Sequence, residues 1–427
     1  MPAPRFCPKV GRVEPEKIRV AVVSDYPLDG PGGAETACAE QIRILTDTGH
    51  RVTVITPAGT TGGVLGPDVD VVPIGWERRL PGLGLPIIRN DAILRDRLRA
   101  LLVARRIDAV HLHSEFGLAA VVVEAANALG LPTALTVHTF FWRAAGLGQT
   151  SAPVQRLMAR AVPRWHRWVT GWAPTGEQLA DRPGDSALRN MTLTVARRCG
   201  RVISPSAHQA RRLRAAGAGE VVVLPNAWSK PVPGDPLHRV DGALRVIWIG
   251  RCSAEKRLLP FVQAAVAAVD QVGPAALAVT VVGEGDQFAA ARRLASGRGS
   301  IRFLGRRAHD DVPALLAEHH LLALTSYGWD NQPMTVVEAV SALRGVLHCD
   351  PALTEGLDGA GLLVGPEPAA IAAALLELAG DSGPVLAASA AALQAREVFS
   401  PRRFVAGLHA ALDLPLQTST EPVWVRC

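Results

Sequence analysis

The chain has 427 residues, enough for two or three domains with sizeable cores. Hydrophobic residues at 48% and charged residues at 20% are the proportions of a folded globular protein rather than a disordered one. A net charge of +6 admits anionic ligands or an acidic membrane surface, and the chain lacks the aromatic-basic runs, zinc-finger spacing and basic zippers of nucleic-acid binders.

Residues 1–16 lack the apolar run of a signal peptide and read as a disordered lead. From residue 17 to 228 the pattern is one of strand alternating with helix. IRVAVVS, RVTVITP, VDVVPIG, DAVHLHS, PTALTVH, RVISPS and EVVVLPN are short apolar runs rich in β-branched residues, as strands buried on both faces require. Helical stretches fall at ETACAEQIRILTDTG, near Ile93–Arg106 and near Gly117–Leu129. Such alternation implies parallel βαβ units with right-handed crossovers.

One segment, 143–185, breaks this rhythm. Within RLMARAVPRWHRWVTGW, Arg156, Arg160, Arg164 and Arg167 stand beside Trp165, Trp168 and Trp172. The mixture suits an interfacial membrane helix, a lid over an acceptor, or a surface helical hairpin whose tryptophans pack on the parent domain. Pro163 is expected to interrupt any single long helix.

Residues 229–243 are rich in proline and glycine and read as a linker. The alternation restarts over 244–395 with LRVIWIG, LAVTVVG, IRFLG, LLALTS, GVLHCD and GLLVGP. Residues 396–427 supply a last helix, near Pro401–Leu412, expected to pack back across the linker, and a tail. The fold class is therefore α/β: two doubly wound, Rossmann-like domains with a ligand cleft between them at the carboxyl ends of their strands. Six scattered cysteines without a CxxC pair point to a reducing, cytoplasmic compartment. No run reaches the ~18 apolar residues of a membrane span.

Several residues in this frame carry chemistry. Asp330 and Glu338, in YGWDNQPMTVVEAV, lie on a loop running into a helix that is expected to begin at Pro333. Two carboxylates beside the free N–H groups of a helix start suit a ligand with many hydroxyls. In IGRCSAEKR, Arg251 and Lys256 follow a strand, where a guanidinium fork and an ammonium point charge would neutralise a diphosphate. Gly32 and Gly33 in PGGAE let backbone approach a ligand closely at the start of the first helix. His138 ends a strand, where a histidine either faces a cleft and bonds a sugar hydroxyl or is a satisfied packing residue. His111 and His113 alternate around Leu112 and so share one side of their strand, and a metal pair there lacks a nearby third ligand. Ser114 and Glu115 stand at the expected mouth, which with His113 and Trp142 makes His113, Glu115 and Trp142 the acceptor candidates. No GxSxG, HExxH or Walker A sequence is present.

Taken in order, GGAE with GHRVTVITP, TVH, VISPS, VVLPN, GR…EK, VVGEG, IRFLG and the carboxylate pair before EA resemble the retaining glycosyltransferases of family 4, over about residues 18–395. The resemblance implies the GT-B fold and transfer of a hexose from a UDP- or GDP-linked sugar to a hydroxyl acceptor. By it, Arg251 and Lys256 hold the diphosphate and Glu338 the ribose. Asp330 and the stretch Asn331, Gln332, Pro333 and Met334 meet the donor sugar. Gly32 and Gly33 approach the phosphates, and His138 contacts the sugar near its C6 hydroxyl. Metal independence is implied, in keeping with the lack of a DxD motif, with no cofactor beyond the nucleotide sugar itself as substrate. Retention is described for such enzymes as same-face substitution assisted by the leaving phosphate, so no protein nucleophile is expected.

Two positions depart from the family pattern. Asp330 stands where Glu is usual, and GVLHCD replaces the usual G-x-P-V run. HTFFW is reminiscent of members that act on diacylglycerol, and a lipid acceptor would suit an enzyme peripheral on the inner face of a membrane. A small natural-product acceptor fits the same residues. A GT-B nucleotide-sugar epimerase and a non-catalytic sugar-nucleotide binding protein are the rival readings.

Overall fold

The computed structural model describes residues 6–8, 13–28, 30, 32–59, 65–66, 69–76, 78–79, 85–138, 151–230, 234–414, 416–418 and 424–426. Near the amino terminus, β1 (Phe6–Pro8) and β2 (Val13–Pro15) are short strands. The first domain then contributes β3 (Arg19–Val23), β4 (Arg51–Pro57), β5 (Asp70–Ile74), β6 (Ala109–Leu112), β7 (Thr133–Thr136), β8 (Arg201–Ser204) and β9 (Val221–Val223). The second contributes β10 (Leu244–Ile249), β11 (Leu277–Val282), β12 (Ile301–Gly305), β13 (Leu321–Leu324), β14 (Gly345–His348) and β15 (Gly361–Leu363). At the carboxyl end lie β16 (Leu416–Thr418) and β17 (Trp424–Arg426).

Each domain is one parallel sheet. The first runs β5-β4-β3-β6-β7-β8-β9 and the second β12-β11-β10-β13-β14-β15. In both, the chain starts in the middle of the sheet, moves outward on one side, then crosses to the other. The order reverses between β3 and β6 and between β10 and β13, and a crevice opens beyond the strand ends at such a reversal. Val20, Val22 and Val54 on one face of the first sheet, and Ala21, Val23 and Ile55 on the other, are all buried, so helices must cover both sides.

Helix Pro401–Ala411 belongs by packing to the first domain. Phe404, Val405 and Leu408 join Ile18, Val20, Ile42 and Leu45 in one apolar cluster, and Arg201 pairs with Asp413 at 2.9 Å. The chain therefore crosses between the domains twice. The lead expected to be disordered is in part paired: β1 runs antiparallel to β17, and β2 antiparallel to β16. Each strand is only three residues long, too short to show the period-two pattern from which strands are read.

Pro163 does not interrupt its helix, which runs from Ala152 to Thr170. Packing overrides the lost N–H. Gln155 accepts from Gly184 N at 2.9 Å and donates to Asp185 at 3.2 Å, while His166 Nε2 lies 2.9 Å from the Glu115 carbonyl. These contacts seat the helix against its neighbour Pro183–Ala196 and against the β6 loop at both ends, leaving proline to cost one hydrogen bond in between. Among the described residues, no single helix is long and apolar enough to cross a membrane.

Candidate functional site

Part of what the sequence singled out gathers at the two reversals of strand order, with Gly32 and Gly33 after β3 in the first domain. From the second domain, Arg251 and Lys256 follow β10, and Asp330 follows β13. The loop carrying the two cations is held by close backbone contact. Cys252 N donates to the Glu284 carbonyl at 2.8 Å, and Gln287 N donates to the Cys252 carbonyl at 2.9 Å. Gly283 (φ +138°) and Gly285 (φ +152°) make this approach feasible, since a Cβ at either would collide with the carbonyl of Gly250 or Cys252.

Lys256 Nζ meets Asp330 Oδ1 at 2.5 Å, and Ser326 Oγ donates to the other oxygen of the same carboxylate. Arg251 is 66% exposed and reaches Glu255 at 3.1 Å. The two cations thus differ: one is half-buried in a pair, the other stands at the rim. An arriving diphosphate would compete with Asp330 for Lys256 and would meet Arg251 in solvent.

Glu338 sits on the helix Met334–Ser341, one residue shorter at its start than expected because Pro333 takes the cap position. Its side chain is only 4% exposed, and burial, with the nearby Glu40 carboxylate, pushes its pKa up to about 8. His309 Nδ1 lies 3.5 Å from Glu338 Oε1, and His309 Nε2 lies 4.0 Å from Glu40 Oε1. Glu40 comes from the first-domain helix Gly33–Asp47 and accepts from Ser229 N at 3.0 Å and Ser229 Oγ at 2.5 Å. Glu40, His309 and Ser229 were not singled out in the sequence: each lies a few residues beyond a quoted string (GGAE, IRFLG and VVLPN), and only the fold brings the three together.

Asn331 and Gln332 face the first domain with their side chains. Asn331 Oδ1 accepts from Ser206 Oγ, and Asn331 Nδ2 donates to the Val137 carbonyl at 3.2 Å. Gln332 Oε1 accepts from Asn226 N at 2.6 Å. These side chains therefore tie the loop after β13 to VISPS, VVLPN and the strand that leads to His138, while Gln332 Nε2 is a buried donor without a partner among the described residues. Met334 is buried in the core of the second domain.

On the first-domain side, Gly32 caps its helix, and a Cβ there would overlap the Glu35 carboxylate, which folds back over the turn. No atom lies within 4 Å of a Cβ built at Gly33, so that flank is open to an incoming group. Burial raises the Glu35 pKa, opposed by Arg251 from across the cleft. A carboxyl group here uses the helix start that also suits a phosphate.

His138 is half-buried at the end of β7, and its Nε2 lies 2.9 Å from His113 Nδ1. The His113 ring is 4.2 Å from that of His111, whose Nε2 meets Thr136 Oγ1 at 2.7 Å. Burial lowers all three: His111 to about 3, His138 to about 4, His113 well below its ordinary value, so the rings are neutral near pH 7. Among the described residues no group of three His, Cys, Asp or Glu side chains is arranged to hold a metal ion.

Two acceptor candidates are displaced from the mouth. His113 lies behind His138, 4% exposed, and Glu115 is 1% exposed, its carboxylate accepting from Thr192 Oγ1 at 2.9 Å. Ser114 is buried too, donating to Asp25 at 2.7 Å. The reason is the helical pair Ala152–Thr170 and Pro183–Ala196, which covers the β6 loop. Trp142 lies outside the described residues. Asp25, which also accepts from Leu118 N at 2.7 Å, was missed although it directly follows β3.

Residues 31–228 match the family model described as Glycosyltransferase Family 4, and residues 243–381 match that described as Glycosyl transferases group 1. Together the two matches take in most of the chain. The chain belongs to the family 4 glycosyltransferases. Among solved structures it is similar to Anabaena HepE in complex with UDP and glucose, at 16% identity and a TM-score of 0.60, covering 93% of this chain and 99% of that one. It is similar also to the pneumococcal O-GlcNAc transferase GtfA in complex with UDP and GlcNAc, at 12% identity and a TM-score of 0.63, covering 93% and 99%. A third is WaaG, a glycosyltransferase involved in lipopolysaccharide biosynthesis, at 15% identity, a TM-score of 0.62, and 91% and 99% coverage. At these identities the likeness is one of fold, and the fold is GT-B. No curated protein matches this sequence. As a glycosyltransferase, the chain holds its candidate residues where the two sheets face each other.

Proposed function

We propose that this glycosyltransferase moves a hexose from a UDP- or GDP-linked sugar to a hydroxyl acceptor with retention of anomeric configuration and without a metal ion. One observation carries the reading: Lys256, Asp330 and Arg251 converge at the strand ends of the second domain, with the buried Glu338 on the helix that follows. Here the cations neutralise the charge that grows on the departing diphosphate, which lowers the barrier directly. The bond from the anomeric carbon to the phosphate oxygen breaks while the acceptor oxygen bonds to the same face, and its proton passes to the leaving phosphate. Glu338 accepts from the ribose hydroxyls, Asp330 and the backbone of 331–334 hold the sugar, and His138 meets it from the other domain. The neighbours bound to UDP with glucose or GlcNAc support a nucleotide-sugar donor.

The acceptor is a lipid or a small natural product. The exposed face of the helix Ala152–Thr170 favours the lipid: Arg156, Arg160, Arg164 and Arg167 are all exposed, with Leu157 66% and Trp168 47% exposed among them. Cationic and apolar side chains on one helix face suit the anionic inner leaflet of a cytoplasmic membrane.

A panel of UDP- and GDP-sugars, read by thermal shift and then by NMR of the product anomer, tests the donor and the stereochemistry. Stabilisation by no nucleotide sugar, or an inverted product, overturns the assignment. Donor incubated alone yields a new sugar if the protein is an epimerase and is merely bound if it is non-catalytic. Replacing the four arginines by glutamine is expected to weaken partitioning onto anionic vesicles by up to about a thousandfold, at about 1 kcal/mol for each charge, with turnover of a soluble acceptor unchanged. Equal flotation of both proteins removes the membrane reading.

A further inference from the structure

Behind His138 lies a second imidazole that no role above employs. His113 Nδ1 and His138 Nε2 stand 2.9 Å apart, and their rings are nearly parallel, 15° between planes. Both rings are neutral, so one nitrogen of this contact must carry the proton and the other the lone pair. Two arrangements follow. If His138 donates from Nε2, the His113 proton sits on Nε2, and that N–H is buried without an acceptor. If His113 donates from Nδ1, only a lone pair at His113 Nε2 goes unmatched. By the pattern seen in buried backbone groups, a donor without an acceptor is the rarer state, and the second arrangement is the one selected. It leaves His138 protonated at Nδ1, the ring nitrogen not engaged with His113.

We propose that His113 is a positioning residue for glycosyl transfer: its Nδ1–H fixes His138 as the tautomer that offers an Nδ1–H donor to an oxygen of the donor sugar. This rests on the reading above that His138 contacts that sugar. The surrounding structure is built to hold the arrangement. His111 is anchored by Thr136 and its ring lies against His113, so His113 is backed by a fixed neighbour. The Val137 carbonyl, one residue before His138, is bound by Gln209 Nε2 at 2.7 Å and by Asn331 Nδ2 of the donor domain at 3.2 Å. The strand end is thus fixed from both domains while the imidazole orientation is fixed from behind. A partner that sets the tautomer of a functional histidine acts through orientation, in the way the outer partners of metal-bound histidines do.

The test combines tautomer and kinetics. Nitrogen–proton correlation spectra of the full-length protein with labelled histidine are expected to show His138 protonated at Nδ1 in the wild type. In His113→Leu that preference is lost, and kcat falls about 10–100-fold while KM for the nucleotide sugar moves less than about threefold. His113→Asn, whose side-chain amide can stand where Nδ1 stands, restores both the tautomer and most of kcat. A wild-type His138 protonated at Nε2, or a His113→Leu enzyme with unchanged kcat, overturns the proposal. The wild-type spectrum decides the tautomer even if a variant fails to fold. His138→Ala separates the two levels: unchanged turnover in that variant refutes the sugar contact itself, whichever tautomer His138 holds.

Discussion

The two halves of the cleft are built on the same sheet plan yet present opposite chemistry. The second domain offers charge, in the Lys256–Asp330 pair, in Arg251 at the rim and in the titratable Glu338. The first offers neutral imidazoles, a glycine turn and the carboxylates Glu35 and Glu40, while Asp25 and Glu115 are buried behind it. A shared fold therefore does not dictate a shared role: the side with Lys256 and Arg251 suits an anionic group, and the side with imidazoles and carboxylates suits hydroxyls. The joint between the halves is made by donor-side residues, since Asn331 and Gln332 spend their side chains on the first domain.

Lys256→Ala is the most severe way to break this contrast. Removing one preorganised cation costs about a hundredfold to a thousandfold in kcat, and here it also takes away the cation paired with Asp330. Steady-state kinetics should show a loss of at least that size, with an unchanged circular dichroism spectrum. Near-normal turnover would mean that the charged side is not where the leaving group sits.

Glu338→Gln comes next. Hydrogen bonds to a charged group contribute about 1.5–3 kcal/mol, so nucleotide affinity measured calorimetrically should drop about 10–100-fold. On the proposed reading, the ionised carboxylate accepts from both ribose hydroxyls, whereas the protonated acid keeps only its carbonyl oxygen as a good acceptor. Affinity should then rise as pH increases toward about 8, by up to about tenfold per pH unit, and level off above it. Glu338→Gln should lack this slope.

The same group also makes stability depend on pH. Its pKa is raised from 4.5 to about 8, so between these values the folded state holds a proton that the unfolded state has released. Unfolding free energy from this site therefore falls as pH rises through that window. Thermal melts should show Glu338→Gln gaining on the wild type from pH 5 to pH 8.5, and parallel curves would place the carboxyl in a wetter setting. The mildest change is Asn331→Ala, which removes interdomain bonds without touching charge. A rise of about threefold to tenfold in KM for the donor is expected, with a larger radius in solution scattering, and an unaltered KM would make the joint incidental.

Much of this was readable in the chain. RVTVITP is strand β4 to the residue, because a buried parallel strand writes itself as an unbroken β-branched run, and IRFLG is the partly buried edge strand β12, ending at its glycine. Lys256, Asp330 and Glu338 were legible because each sits in a compact string at a strand end. The first-domain site was harder. Asp25 and Ser114 are 89 residues apart in sequence and meet only because β3 and β6 are neighbours. Ser114 and Glu115 were expected at the mouth because nothing in their own string reveals the helical pair that covers them. Pro163 misled for a related reason: local propensity forecast a break, and tertiary contacts at Gln155 and His166 held the helix together.

The final helix has a practical consequence for engineering. Because Phe404, Val405 and Leu408 complete the apolar cluster of the opening domain, the two lobes are not separable cassettes. A chimera that exchanges sugar-binding lobes needs two junctions, one near residue 229 and another before Pro401. Any truncation upstream of that proline would strip the amino-terminal lobe of part of its own interior.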